Sequence, residues 1–285
     1  MSNVPLELRA GELRLALRPD LGASVAGLWH GETPVLRSTE AAELSGARLS
    51  GCYPLVPYSN RLGYRRFRWL KQDYTTQPNF DEGNPHSVHG VAWQRPWSVL
   101  SAEAATAELA YAHAADAHWP FAFDLRQRFV LTPEALEVHL AITNRADTPQ
   151  PVGLGWHPYF PKRPRSRLHI ELAERWDSDA SGLPTRKVPQ PAGIDGDVAH
   201  LAFDNCFEGW KGPARIRDEK LSLRLTSSLP YLVVFTPDVK PYYCVEPVSH
   251  VSNAIHMSDP QAHGLRALAP GATFDAWMKL EVAQV

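Results

Sequence analysis

Alternation with a period of two is the strongest constraint written into this chain. Residues 12–18 put Leu13, Leu15 and Leu17 on one side and Glu12, Arg14 and Arg18 on the other. An extended backbone turns successive side chains to opposite faces of a sheet, so this is the pattern of a half-buried strand. It returns at residues 137–143 through Val138, Leu140 and Ile142, and again at Leu221, Leu223 and Leu225, which Ser222 and Arg224 separate. Residues 231–235 are apolar throughout, as in a strand covered on both faces. Residues 121–131 and 273–282 are longer strand candidates rich in aromatic and branched side chains. The 25 prolines and 18 glycines break most helical windows before they reach a useful length. Only residues 39–46 and parts of 101–116 stay open to short helix, the second stretch reading equally well as strand. The Pro-rich segment 184–191 reads as a surface loop. Such strand density predicts an all-β fold, a large antiparallel β-sandwich, and not alternating βαβ units. No repeat, low-complexity tract or convincing linker divides the chain, so residues 1–285 are expected to form a single domain.

Charge narrows the ligand. Lysine and arginine number 29 against 31 aspartates and glutamates, a formal net charge of -2. That balance gives no broad attraction to nucleic acid or to an anionic membrane surface, and neither is expected as a partner. No segment approaches the roughly 20 apolar residues that span a bilayer. The opening residues scatter charges where a signal peptide would carry an apolar run. Cys52, Cys206 and Cys244 are widely spaced and odd in number, forming neither a disulfide framework nor a C-x-x-C zinc pair. A cytoplasmic protein is expected, with the oligomeric state left open.

Common catalytic signatures are missing. There is no G-x-S-x-G elbow and no Walker A loop. Gly153-Leu154-Gly155 begins like a dinucleotide fingerprint, but Trp156, His157 and Pro158 follow. The 12 histidines include no H-E-x-x-H, and His86 and His89 lack a carboxylate at ligand spacing. Neither a metal nor a cofactor is therefore expected. The 9 Trp, 9 Tyr and 10 Phe offer flat faces suited to a core or to stacking on sugar rings.

Four polar and aromatic segments stand apart from the strand pattern, where function tends to sit on loops held by a rigid scaffold. In residues 51–63, Asn60 and Arg61 follow an apolar run with two prolines, and Arg61 brings a planar fork of donors. An exposed salt bridge would explain Arg61 equally well. In residues 86–97, His89 precedes Gly90, which allows close backbone approach, and Trp93 and Trp97 are candidate pocket walls. A hydrogen-bonded core histidine is the plainer alternative. In residues 153–161, His157 lies among Trp156, Tyr159 and Phe160, and imidazole is the side chain that titrates near neutrality. The last region joins Asp204 in residues 204–207 to residues 242–253, where Glu246 follows an apolar strand-like run and precedes Pro247. A carboxylate placed there, once desolvated, becomes more basic.

Taken in order, Pro57-Tyr58-Ser59-Asn60-Arg61, His89-Gly90, His157-Pro158-Tyr159-Phe160, Asp204-Asn205-Cys206-Phe207 and Glu246-Pro247 resemble the galactose mutarotase-like superfamily, in its aldose 1-epimerase branch. The resemblance implies a supersandwich with its cleft across one sheet, and a hexose, free or phosphorylated, as the small-molecule partner. It implies His157 as general acid and Glu246 as general base, with Arg61, His89 and Asp204 holding the sugar and Asn60 supporting the same wall. Trp156 stands where the galactose enzymes usually place Asn, and the Glu-Pro-Val-Ser context is closer to a broad bacterial subgroup. The sugar is therefore less specified than the reaction. An ionised Glu246 and a protonated His157 would form the required pair at neutral pH.

Three other readings use the same residues. A hexose-6-phosphate 1-epimerase would need a cationic subsite, for which Arg61, Arg65, Arg66 and Arg95 are candidates, although residues 65–68 alternate like an exposed strand. A glycosidase would pair Asp204 with Glu246 across the scissile bond. A catalytically inert sugar-binding module would need neither acid nor base.

Overall fold

The computed structural model describes residues 5–285, and among these the helical turns are confined to short 3-10 segments such as Ala47–Leu49. One antiparallel sheet has nine strands, in the order Ser98–Ala102, Thr106–His113, Phe123–Leu131, Ala135–Asn144, Thr273–Gln284, Leu221–Ser227, Lys211–Arg217, Arg167–Glu171 and Ile194–Asp197. A second, of eight strands, runs Pro184–Pro189, Glu174–Ser178, Asp204–Glu208, Tyr231–Phe235, Tyr242–Val248, Gly155–Trp156 and Pro54–Leu55. Its eighth strand, Tyr159–Pro161, also pairs with Tyr242–Val248. A four-stranded sheet of Leu6–Ala10, Leu13–Arg18, Ser24–His30 and Thr33–Pro34 joins the second sheet through a bridge between Val25 and Cys52.

The period-two pattern becomes burial. Phe123, Leu125, Phe129 and Leu131 point inward from one strand, and Leu136, Val138, Leu140 and Ile142 from its neighbour. The register sets Val138 opposite Met278, Leu140 opposite Ala276 and Ile142 opposite Phe274, which extends the same apolar face. Leu232, Val234 and Val245 of the eight-stranded sheet belong to the same core cluster. The inner faces of the two sheets therefore meet, and the Trp156 indole donates across the contact to Gln127 at 3.2 Å. Each fully buried Leu, Val, Ile or Phe contributes about 1.5–3 kcal/mol over exposure. The antiparallel sandwich expected from the sequence is the fold observed.

Local expectations fare unevenly. Residues 39–46 form no helix. Carbonyls that a helix would use internally are taken instead by the Arg18 guanidinium, which donates to Ala41 at 2.6 Å and Leu44 at 2.8 Å. The ambiguous 101–116 stretch is strand, most of it in Thr106–His113. The expected surface loop at 184–191 is largely the strand Pro184–Pro189, paired with Glu174–Ser178 at the sheet's end. Its prolines sit at the strand ends of an edge, where a missing N–H costs no ladder bond. No described helix is long and apolar enough to cross a membrane.

Candidate active site

Alternation on Tyr242–Val248 decides what enters the cleft. Tyr243 and Val245 take one face of the strand and Cys244 and Glu246 the other, with Glu246 lining the cleft and Cys244 fully buried among core residues. The partner strand sets Tyr159 against Cys244, so His157, just before it, arrives beside Glu246. The His157 backbone N–H donates to the Tyr53 carbonyl at 3.0 Å, which fixes the chain there. His157 Nε2 then lies 3.3 Å from Glu246 Oε1.

Rings orient this imidazole, because His157 Nδ1 has no hydrogen-bond partner. Tyr159 stacks on it at 4.4 Å and 16°, Tyr53 lies at 4.9 Å, and His89 meets it edge-on at 5.1 Å. The Arg37 guanidinium, fastened to the Arg48 and Ser50 carbonyls, lies 3.7 Å from the Tyr159 ring centre.

A second loop supplies the opposite wall. Asn60 and His89 exchange two hydrogen bonds: the Asn60 N–H donates to His89 Nδ1 at 3.0 Å, and the His89 N–H donates to the Asn60 carbonyl at 2.9 Å. Both residues sit at positive φ, 57° and 65°, a conformation that costs energy and collects at functional sites. Because Nδ1 accepts, the neutral imidazole of His89 carries its proton on Nε2 and is a donor. Burial pulls its pKa down to about 3, so it stays neutral. Arg61 donates to Asn60 Oδ1 at 3.2 Å and to Asp204 Oδ2 at 3.4 Å, so the salt bridge and the cleft position coexist.

These side chains surround a cleft of about 160 Å³, the scale of a single monosaccharide. Asn60, Arg61, His89, His157, Asp204 and Glu246 all line it. Phe80, Asn84, Val88 and Phe235 line it too and had no sequence signal beyond residue type. Trp93 and Trp97, expected as pocket walls, are instead buried in the core, where the Trp97 indole donates to the Ala92 carbonyl. Phe80 and Phe235 provide the aromatic faces. Trp156 and Phe160 turn away from His157 into the core, because they alternate with it along extended backbone. A roomier hollow of about 470 Å³ beside Ser228, Arg266 and Asp275 contains no paired acid and base.

Burial dominates the electrostatics. It pushes the Glu246 carboxyl well above its ordinary range, with Asp204 adding to the rise and Arg61 opposing it. It pulls the His157 imidazole well down, helped by His89 and Arg37. The ionised carboxylate and protonated imidazole expected from sequence thus face a desolvation cost. The same single proton placed on Glu246 makes both groups neutral. The cleft can therefore hold one proton in either of two arrangements across a 3.3 Å contact.

The fold is thus an all-β sandwich whose cleft holds a buried carboxyl–imidazole pair. Residues 5–281 match the family described as aldose 1-epimerase, and the chain belongs to that family of isomerases. It is 31% identical over 291 residues to the uncharacterised protein YphB of Escherichia coli (strain K12), across 96% of this chain and 97% of that one. An aldose 1-epimerase candidate from Escherichia coli K12, known from its crystal structure, superposes with a TM-score of 0.89 at 30% identity over 99% of both chains. The GalM/aldose epimerase homologue from C. elegans superposes at 0.85 with 17% identity over 100% of both chains, a likeness of fold.

Proposed function

We propose that the protein interconverts the α and β anomers of a free hexose by acid/base-catalysed ring opening and closure. The 3.3 Å approach of His157 to Glu246 within the sugar-sized cleft carries this reading. Glu246 takes the proton of the C1 hydroxyl while His157 gives a proton to the ring oxygen. The bond from C1 to the ring oxygen breaks and the C1 carbonyl forms. After rotation about C1–C2 the ring closes on the other carbonyl face, and both protons return. No hydride, phosphoryl group or electron moves.

The pKa directions gain a role in that cycle. Ring opening converts an ion pair into protonated Glu246 and neutral His157, the arrangement that burial favours. The site therefore stabilises the state in which the open-chain aldehyde is bound. His89 donates from Nε2, Arg61 and Asp204 bond hydroxyls, and Phe80 and Phe235 cover the C–H face.

The pair also predicts the pH profile. Ordinary values of 4.5 for the carboxyl and 6.5 for the imidazole would confine the one-proton state to the interval between them. Burial lowers the imidazole and raises the carboxyl, so neither limit stays at its ordinary value. The kcat/KM profile should thus have neither an acid limb centred at 4.5 nor an alkaline limb centred at 6.5, and it should fall when the pair gains a second proton or loses its one. An alkaline limb centred at 6.5 contradicts this account.

The cation geometry favours a free sugar over a phosphorylated one. Of Arg61, Arg65, Arg66 and Arg95, Arg61 alone lines the cleft, and Asp204 already pairs with it. Arg95 pairs with Asp116, and Arg66 lies outward on the exposed face of Arg66–Trp69. A glycosidase reading leaves His157 idle. An inert binding module has no use for a buried Glu246 Oε2 without a partner, which costs about 1–3 kcal/mol. Polarimetry of fresh α-D-glucose, α-D-galactose and glucose 6-phosphate tests the proposal. Accelerated mutarotation of a free sugar is expected, with glucose 6-phosphate slower in kcat/KM. Spontaneous rates for every aldose would overturn it.

A further inference from the structure

Cys244 takes no part in the proton transfers, yet it stands in their midst. One donor atom from each of His157, Cys244 and Glu246 lies within 4.8 Å of the others, and all three residues are buried. Cys244 and Glu246 share one face of Tyr242–Val248, and the pairing of Tyr159 with Cys244 brings His157 alongside. Two polar atoms here, His157 Nδ1 and Glu246 Oε2, have no hydrogen-bond partner. Imidazole, thiol and carboxylate together are a donor set that zinc-like cations use, and the thiol selects for softness.

We propose that His157, Cys244 and Glu246 form a binding site for a soft divalent cation of the zinc–cadmium kind, and that the ion inhibits the enzyme by occupying the acid–base pair. The inhibition rests on the function proposed above; the binding does not. The ion enters through the cleft, which His157 and Glu246 line. On binding, the thiol and the acid–base pair each give one proton to solvent, and thiolate and carboxylate together balance the two positive charges. The cleft side keeps a coordination position for water or a sugar hydroxyl. Donors 2.0–2.3 Å from zinc lie about 3.5 Å apart in a tetrahedron. Atoms as far apart as 4.8 Å must close by about an ångström to reach that spacing, which favours the larger cadmium ion.

The test is titration of the purified protein with cadmium chloride, followed by ultraviolet thiolate-to-cadmium absorption and, in parallel, by polarimetry. Absorption and inhibition should rise together to one ion per chain, and a chelator should reverse both. Cys244→Ala removes neither member of the acid–base pair. It should abolish the absorption and raise the half-inhibiting cadmium concentration by about tenfold or more. Cys52→Ala and Cys206→Ala should keep both signals, and Cys244→Ser provides a second variant if the alanine form folds poorly. Absorption that survives in Cys244→Ala and Cys244→Ser, or no stoichiometric uptake, overturns the site. Absorption without inhibition of a mutarotating enzyme overturns the inhibitory half. A protein lacking mutarotase activity still reports binding by absorption, so the two failures are distinguishable.

Discussion

Glu246→Gln should lower the mutarotation rate by about 10²–10⁴-fold while the protein stays folded and still binds sugar. Glutamine keeps the shape of the side chain but cannot take the C1 hydroxyl proton. The fold should tolerate it well, because Glu246 is buried and its charged form is already disfavoured there. A neutral amide removes that desolvation cost, so thermal stability should hold or rise slightly. His157→Gln should lose a similar factor by withdrawing the proton given to the ring oxygen. The double variant should fall little below either single one, since each group is useless without the other and their effects do not add. Polarimetric kcat and KM, with a thermal melt for each variant, check all three. Wild-type turnover in either single variant would mean that the proton roles are misassigned.

The backbone plan was legible in the sequence because alternation is a direct image of strand geometry. Leu13, Leu15 and Leu17 are buried as their spacing demands, and so are Val138, Leu140 and Ile142. Local signals failed where a distant group decides. Residues 39–46 lose their helix to Arg18, more than twenty residues upstream, which claims their carbonyls. Pro184–Pro189 joins an edge that accepts its terminal prolines. Trp93 and Trp97 were misplaced because residue type tells that an aromatic has a flat face, not which side of the wall it covers. For the cleft, chemistry-bearing residues in turn-rich segments identified six of its seven polar members. Phe80, Asn84, Val88 and Phe235 stayed hidden, since they become lining only when loops far apart in sequence fold over one another. The direction of the Glu246 and His157 shifts was also half legible. Sequence suggested a desolvated carboxylate, but only packing shows that its partner is equally buried.

Gly90→Ala should be among the most destabilising single-methyl additions in the chain, and it should weaken sugar binding in whatever protein still folds. Gly90 has φ +69°, and a Cβ there would sit 2.0 Å from the Val56 carbonyl oxygen and 2.3 Å from its carbon. These are backbone atoms, which cannot swing away as a side-chain end can. Forcing the left-handed conformation costs about 1–2 kcal/mol, and relieving such a clash adds about 1–3 kcal/mol. Gly83→Ala separates the two contributions: its φ is +80°, but nothing lies within 4 Å of the added Cβ, so only the backbone cost applies. Relief of the clash must move the Val56 or Gly90 backbone, and His89 is the residue next to it. The reciprocal bonds between Asn60 and His89 would then lengthen, and the Nε2 donor would drift from the sugar. KM should therefore rise in Gly90→Ala and stay near wild type in Gly83→Ala. Equal melting temperatures for the two variants would show that the Gly90 backbone does not pack against Val56 in this way, and the wall carrying His89 would lose its physical basis.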